Sequence, residues 1–218
     1  MYFFEKYIII KWRIQLRKEF NYMAVSFEKS NTKINLMKAF AGESQARNRY
    51  TMAASQAKKE GLNIVEKVFT FTANQEKEHA KLFYQKLSPV YGTSINIECG
   101  FPVDIYNNSL DLLKCARNNE YEEYNDVYRS FSEEARSEGF NDIAALFSQV
   151  ADIEKVHAER FEKFIDLIEN GELFESSKEE RWICLNCGYI YTSKSALENC
   201  PVCNHSKGYQ MRHDWVLI

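Results

Sequence analysis

Two short stretches decide the fold, Glu76-Lys77-Glu78-His79-Ala80 and Glu154-Lys155-Val156-His157-Ala158. Each begins fifteen residues after a glycine, Gly61 in the first case and Gly139 in the second. The two copies are offset by 78 residues. This repeat indicates that the chain contains a duplicated helical hairpin.

Scarce glycine and proline, together with apolar residues at helical spacing, predict four long helices over about 31–61, 62–87, 109–139 and 140–170. Asn31 or Thr32 is the expected N-cap of the first helix. Short joins at the two glycines make the helices antiparallel in pairs, and the segment 88–108 is long enough to cross the bundle. Two hairpins with one crossover are the ferritin-like arrangement. We therefore expect an all-α, ferritin-like four-helix bundle over residues 30–171.

Acidic and imidazole side chains interrupt the apolar stripes of these helices at Glu43, Glu76, His79, Glu120, Glu123, Glu154 and His157. The three pairs among them are spaced i, i+3, so both members of a pair face one side of a helix. Buried without compensation, each carboxylate would cost several kcal/mol or take up a proton. Di-iron and di-manganese bundles solve this problem with one Glu from each of two helices and a Glu-x-x-His from each of the others. The pattern predicts a two-metal site.

Four of the six cysteines, Cys184, Cys187, Cys200 and Cys203, form two C-x-x-C pairs near the end of the chain. Such pairs are typical of a tetrahedral site with four thiolate ligands, which accepts zinc or iron. We expect a polar linker over 172–181 and a small metal module over 182–218. The remaining Cys99 and Cys115 are interpreted as ordinary thiols.

Composition and charge exclude several classes of protein. The chain has 218 residues with 28 basic and 31 acidic side chains, so no basic excess favours nucleic acid as a partner. Residues 1–29 are an extension of unknown role, and the apolar run around residues 8–10 is too short to span a membrane. No membrane association and a cytoplasmic location are expected. Further acidic residues are interpreted as solvent-facing: Glu78, Glu133, Glu134, Glu138 and Glu159.

The sequence resembles the rubrerythrins, non-haem di-iron proteins with a C-terminal rubredoxin-like domain. The resemblance covers residues 30–218 and rests on residues 36–51 (LMKAFAGESQARNRYT), the three motifs Glu76–His79, Glu120–Glu123 and Glu154–His157, and the cysteine pairs. It implies that Glu76 and Glu154 bridge two irons. It also implies that Tyr50 and Tyr128 hydrogen-bond to ligand carboxylates, and Tyr50 is a candidate proton donor.

The same resemblance assigns the other ligands to the two irons. Glu43 would bind the first iron, and Glu120 and His157 the second. The first iron would exchange Glu123 for His79 on going from the diferric to the diferrous state. One further iron would be held by the four cysteines, with zinc as its substitute in a recombinant preparation, and Trp182, Tyr189 and Ile190 would pack around it.

The activity that the resemblance implies is reduction of hydrogen peroxide to water. Electrons would come from an external rubredoxin or an NADH-dependent flavoprotein reductase, because the chain has no G-x-G-x-x-G motif of its own. A homodimer or larger assembly is expected, in which the rubredoxin-like module of one subunit faces the bundle of another.

Three alternatives remain open at this stage. The carboxylate count permits a ferritin-like ferroxidase that oxidises and handles iron. The cysteine module could be a structural zinc ribbon that binds a partner. A manganese catalase would need no one-electron donor.

Overall fold

The structure, a computed structural model, describes residues 25–214. Its helices are α1 (Asn31–Lys59), α2 (Asn63–Lys86), α3 (Ser109–Glu122), α4 (Tyr128–Ser137) and α5 (Asn141–Glu169). The ferritin-like bundle is confirmed, with α1 and α2 as one hairpin and α3, α4 and α5 as the other. None of the helices within 25–214 has the length and apolar character that crossing a bilayer requires.

Both hairpin turns depend on a glycine in the left-handed region. Gly61 has φ +73° and Gly139 has φ +93°, values at which a Cβ atom would be strained. The crossover between the hairpins contains one 3₁₀ turn, Ser88–Val90, and then no regular element up to Ser109. It returns the chain to the Gly61 end of the bundle, so α2 and α3 run parallel.

Each hairpin turn also caps the first helix of the other hairpin. The Glu138 carboxylate accepts hydrogen bonds from the backbone N–H of Asn31 (2.9 Å) and Thr32 (2.8 Å). Glu60, its counterpart in the repeat, accepts from the N–H of Ser109 at 3.2 Å. The interpretation of Glu138 as a solvent-facing charge was therefore wrong, because the free N–H groups of a helix start attract a carboxylate.

The N-cap of the first helix lies one residue before the expected position. Ser30, with extended backbone, is the N-cap, and its hydroxyl accepts from the N–H of Lys33 at 3.1 Å. Asn31 and Thr32 are already helical and contact the other hairpin instead.

The third predicted helix is not continuous. A π-helical turn, Glu123–Val127, separates α3 from α4. Seven residues separate Glu43 from Tyr50 in the first hairpin, but eight separate Glu120 from Tyr128 in the second. The π turn absorbs this extra residue and returns Tyr128 to the inner face of the helix.

Glu43, Glu76, Glu120 and Glu154 lie at one level of the bundle, which we call the acidic layer. Two aromatic clusters fill the bundle on either side of this layer. Phe69 and Phe161 belong to the cluster toward the Gly61 end, with ring centroids 5.4 Å apart. Phe83 and Phe147 belong to the cluster toward the Gly139 end, with centroids 5.2 Å apart. The acidic residues therefore lie between two dry regions that exclude water from above and below.

The C-terminal module is a three-stranded antiparallel sheet of order β2-β1-β3, with β1 Glu175–Cys184, β2 Ile190–Ser195 and β3 Gln210–Arg212. The segment 172–181 was predicted as a linker, but most of it belongs to β1. Its polar residues lie in a strand that pairs with β2 as far back as Glu175 and is exposed along most of its length, so no apolar alternation marks it.

The module packs against the Gly61 end of its own bundle. Met211 is buried in the same apolar cluster as α1 and α2, and partly buried Leu62 packs against this cluster. A Cβ atom on Gly208 would lie 1.7 Å from the carbonyl oxygen of Gly61. This close backbone approach requires glycine and fixes the module on the hairpin turn.

Candidate metal centres

The acidic layer is sealed inside the bundle. Glu43, Glu76, Glu154 and His157 are fully buried and Glu120 is 1% exposed. Among the described residues, their ligand atoms form two groups in which all atoms lie within 4.8 Å of one another. The first group comprises Glu43, Glu76, His79 and Glu154, and the second comprises Glu76, Glu120, Glu154 and His157.

Glu76 and Glu154 belong to both groups because each divides its two oxygens between them. Glu76 Oε2 lies 3.2 Å from His79 Nδ1, and its Oε1 lies 2.8 Å from His157 Nδ1. Glu154 Oε1 lies 3.0 Å from His79 Nδ1, and its Oε2 lies 2.8 Å from His157 Nδ1. This is the geometry of two carboxylates that bridge a pair of cations.

Unpaired buried atoms show that the site fits metal ions. Within residues 25–214, Glu43 Oε2, Glu76 Oε1, Glu120 Oε2, both oxygens of Glu154 and His157 Nδ1 make no hydrogen bond. Buried polar atoms without a partner are rare in folded proteins and costly. These atoms converge on shared points, and carboxylate with imidazole is a donor set that suits iron.

A hydrogen-bond chain behind His157 sets its tautomer. Gln75 Oε1 lies 3.1 Å from His157 Nε2 and also accepts from Arg160 Nη1 at 3.0 Å. Because arginine only donates, the Gln75 atom is the carbonyl oxygen, and His157 Nε2 must carry the proton. His157 Nδ1 is thus the ring nitrogen that faces Glu76 and Glu154 and would bind a metal there once it has lost its proton.

The sequence analysis missed Gln75 and Arg160. Gln75 directly precedes Glu76, and Arg160 is three residues after His157, on the same side of α5. That spacing was the available signal, since residues three apart on a helix are neighbours.

The first group contains His79 and does not contain Glu123. Glu123 opens the π turn and is half-buried, and its carboxylate belongs to neither group among the described residues. His79 is 6% exposed and lies 3.7 Å from Glu43 Oε2 through Nδ1. Six of the seven predicted ligands are therefore brought together, with Glu123 beside them.

Two tyrosines from the repeat cross between the hairpins. Tyr50 donates a hydrogen bond from its hydroxyl to Glu120 Oε1, and Tyr128 donates to Glu43 Oε1. Both rings are buried. Each tyrosine thereby orients a carboxylate supplied by the opposite hairpin.

Burial and the closeness of several charged groups shift the pKa values of side chains in the acidic layer. Burial, followed by the charge of Glu76, raises the pKa of Glu120 to about 8. Burial and the neighbouring carboxylates raise the pKa of Glu43 and Glu123 well above its ordinary value. Burial opposes the charge on His79, but the nearby carboxylates of Glu154, Glu43 and Glu76 outweigh it and raise the pKa of His79.

The four cysteines of the module form a second centre. Their sulfur atoms lie within 4.8 Å of one another, with Cys184 Sγ 3.6 Å from Cys203 Sγ and Cys187 Sγ 3.6 Å from Cys200 Sγ. All four are free thiols in the structure. The backbone N–H of His205 lowers the pKa of Cys203 to about 6, which favours the thiolate that a metal binds.

The three residues expected to pack around this centre differ in solvent exposure. Trp182 is fully buried and donates from Nε1 to the Ser193 carbonyl at 2.9 Å. Tyr189 and Ile190 are 36% and 40% exposed, because the β1–β2 turn holds them at the surface of the module.

Comparison with known proteins gives consistent matches to both parts of the chain. Residues 35–165 match the family model described as rubrerythrin, and residues 182–209 match the rubrerythrin rubredoxin-like domain. A rubrerythrin from Porphyromonas gingivalis is 45% identical over 86% of this chain and 92% of its own length. A rubrerythrin from Clostridium perfringens is 40% identical over 84% of this chain and 95% of its own length.

Solved structures of nigerythrin also match this chain. Fully reduced, all-ferrous nigerythrin matches with a TM-score of 0.57 and 27% identity, over 84% of this chain and 86% of that chain. Partially reduced nigerythrin matches with a TM-score of 0.56 over the same shares.

Proposed function

Because the chain belongs to the rubrerythrin family, as a di-iron protein with a rubredoxin-like domain, we propose that it is a peroxidase. The reaction consumes one hydrogen peroxide, two electrons and two protons and releases two molecules of water. The observation that carries this proposal is the division of the Glu76 and Glu154 oxygens between two ligand groups. Two irons held by these residues would supply two electrons and Lewis-acid polarisation of the substrate oxygens.

In this proposal the chain supplies a preorganised, dry ligand set. Glu76 and Glu154 bridge the two metal positions. Glu43 serves the first position, together with His79 or Glu123. Glu120 and His157 serve the second. Gln75 holds the His157 ring in place, so this ligand atom need not reorganise during turnover.

Tyr50 is the proposed source of a proton. Its hydroxyl donates to Glu120 from within the buried layer, and burial, followed by the charge of Glu120, raises its pKa well above the ordinary value. The phenol therefore holds its proton at neutral pH until a stronger base develops at the site. The hydroxyl of Tyr128 likewise donates a hydrogen bond to Glu43.

Electrons are proposed to enter through the cysteine module from an external rubredoxin or an NADH-dependent flavoprotein reductase. An iron held by four thiolates carries one electron with little change in geometry. The module packs at Gly61, and Glu76 is thirteen residues along α2 from Asn63, a distance of about 20 Å along the helix axis. So long a separation favours delivery to the bundle of a second subunit, hence a homodimer or larger assembly.

The proposed location is the cytoplasm. The six cysteines, all within the part of the chain that the structure describes, are unpaired thiols, and a four-thiolate iron site requires a compartment that keeps thiols reduced.

Hydrogen peroxide consumption by the iron-loaded protein, measured with and without an electron donor, tests the proposal. We expect turnover only with a donor. Cys184→Ser should abolish steady-state turnover and still allow a pre-reduced bundle to react once. Full steady-state activity of this variant would contradict the electron relay.

The same preparation separates the alternatives. Oxygen evolution from peroxide without a donor would indicate a catalase, and retention of hundreds of irons per assembly after ferrous loading in air would indicate iron storage. A colourless four-cysteine centre in native protein would indicate structural zinc.

A further inference from the structure

Among the cavities formed by residues 25–214, one extends from the surface to Glu123 and Tyr128, beside the acidic layer. It has a volume of about 230 Å³ and lies between α1, the crossover segment and the π turn. Its walls include Lys38 and Arg49 from α1, and Cys99 and Phe101 from the crossover. Its volume has room for a few water-sized molecules, each of which occupies about 30 Å³ in the liquid.

The floor of the cavity is formed by residues of the candidate metal site. Glu123 lines it, and burial, followed by the charge of Glu43, raises the pKa of this carboxyl. Tyr128 also lines it, and its hydroxyl is bonded to Glu43. The cavity is therefore separated from the first ligand group by a single layer of side chains.

Within residues 25–214 the rest of the layer is largely enclosed, with His79 6% exposed. The aromatic clusters seal it along the bundle axis, and the side chains of Glu43, Glu76 and Glu154 have no more than 1% exposure. Three other cavities, near Ile105, near Asp126 and near Pro89, are lined by none of the seven predicted ligands.

The crossover segment forms the outer wall of this cavity. Phe101 Cε1 lies 4.0 Å from the position of a Cβ on Gly42, the residue before Glu43. Arg49 holds the neighbouring part of the segment through an ion pair with Asp104 at 2.6 Å. The ring of Phe101 thus lies over the backbone that leads to the first group.

We propose that this cavity is the route by which hydrogen peroxide, and small ligands of similar size, reach the first metal position. The wall formed by Cys99–Pro102 sets the size limit of that route, with Phe101 as its specificity-determining residue. This inference rests on the proposed function for the identity of the substrate, but the route itself is testable with any small ligand of the metals.

Cys99 offers a direct way to block the route. It is exposed and lines the cavity, whereas Cys115 is half-buried and lies outside its lining. In the iron-loaded Cys115→Ser protein, labelling of Cys99 with N-ethylmaleimide should slow azide binding to the oxidised di-iron site at least tenfold. The azide on-rate is followed by visible absorption, and intact absorption of the four-cysteine centre shows that its thiolates were not labelled.

The matched control is the Cys99→Ser, Cys115→Ser protein treated with the same reagent, which should bind azide at the unlabelled rate. Equal on-rates before and after complete labelling of Cys99 would overturn the proposed route. Because azide binding requires no turnover, a protein without peroxidase activity that still shows the block would refute the proposed function and leave the route standing.

A second variant tests the size limit. Phe101→Ala should raise the rate with tert-butyl hydroperoxide at least tenfold relative to the rate with hydrogen peroxide. An unchanged ratio in a protein with normal iron content would contradict the role of Phe101.

Discussion

Glu76 and Glu43 are both fully buried carboxylates, but their positions in the site differ. Glu76 contributes one oxygen to each ligand group, whereas Glu43 belongs to the first group alone. Removing the Glu76 carboxylate should therefore affect both metal positions, whereas removing the Glu43 carboxylate should affect only the first.

We predict that Glu76→Ala lowers iron binding at both positions and that Glu43→Ala lowers it at one. Iron per chain, measured by colorimetric assay after gel filtration, should fall from about three to about one in the first variant, since the four cysteines keep their iron, and to about two in the second. The exposed neighbour Glu78 is the control, and Glu78→Ala should retain full iron content. Equal losses in the two buried variants would contradict the bridging role of Glu76.

The shifted pKa values in the acidic layer predict how the stability of the metal-free protein depends on pH. The pKa of Glu120 is about 8 in the folded chain against an ordinary value of 4.5, so the folded state binds more protons between these values. The stability contributed by protonated Glu120 is fully present below pH 4.5 and is lost as the pH rises through about 8. The raised pKa of His79 acts in the same direction above pH 6.5.

We therefore expect the Tm of chelator-treated protein to fall by several degrees between about pH 5 and about pH 8. Glu120→Gln should flatten this dependence, because the amide does not titrate. Iron-loaded protein should not show the fall, since metal binding requires ionised carboxylates and neutral imidazole. A metal-free Tm that rises over this range would contradict the assigned pKa directions.

The six residues that the structure brings together could be predicted from the sequence, but the side chains that support them could not. Glu76 and His157 could be identified because a charged residue on an apolar stripe is costly unless it binds something. Gln75 and Arg160 carry no such signal, since polar residues at the edge of a stripe are common. The capping role of Glu138 depends on a helix start more than 100 residues away in the chain.

The π turn is the element that distinguishes the two hairpins. It accommodates eight residues between Glu120 and Tyr128 where the first hairpin has seven, and it begins at Glu123. The offset in the internal repeat indicated a register difference, but hydrophobic period alone does not separate a π turn from a continuous helix.

Deleting Asn125, an exposed residue of this turn, should restore the seven-residue spacing of the first hairpin. We predict that the variant stays helical and loses the wide turn that presents Glu123 to the site, so that peroxidase activity falls about 10–100-fold. Circular dichroism checks the helical content, and Asn125→Ala, which keeps the length of the turn, should remain active. Normal activity of the deletion variant would show that the turn has no role in the site.

The whole molecule joins two metal-binding parts through a close contact. The turn Lys207–Tyr209 of the module meets Gly61 of the bundle, and Met211 enters the bundle's apolar cluster. Sequence patterns predicted the two parts separately, since each has its own motifs. The packing of the module on the bundle depends on Gly208. The sequence alone does not predict this, because Gly208 contacts the Gly61 carbonyl only in the folded structure.

Gly208→Ala should weaken this contact, because the new methyl group would overlap a backbone carbonyl that cannot move easily. We expect a loss of about 1–3 kcal/mol in the free energy of unfolding and faster proteolysis within residues 172–181. Ser206→Ala, two residues earlier and exposed, is the control and should behave as wild type. Unchanged proteolysis of the Gly208 variant would show that the module is not held at this point.

The central claim is that Glu76 and Glu154 together hold two irons between the hairpins. Anomalous diffraction at the iron edge from crystals of the iron-loaded protein tests it most directly. We expect two anomalous peaks inside the bundle, each next to one oxygen of Glu76 and one oxygen of Glu154, and a third among the four cysteines. A single peak in the bundle, or none, would contradict it.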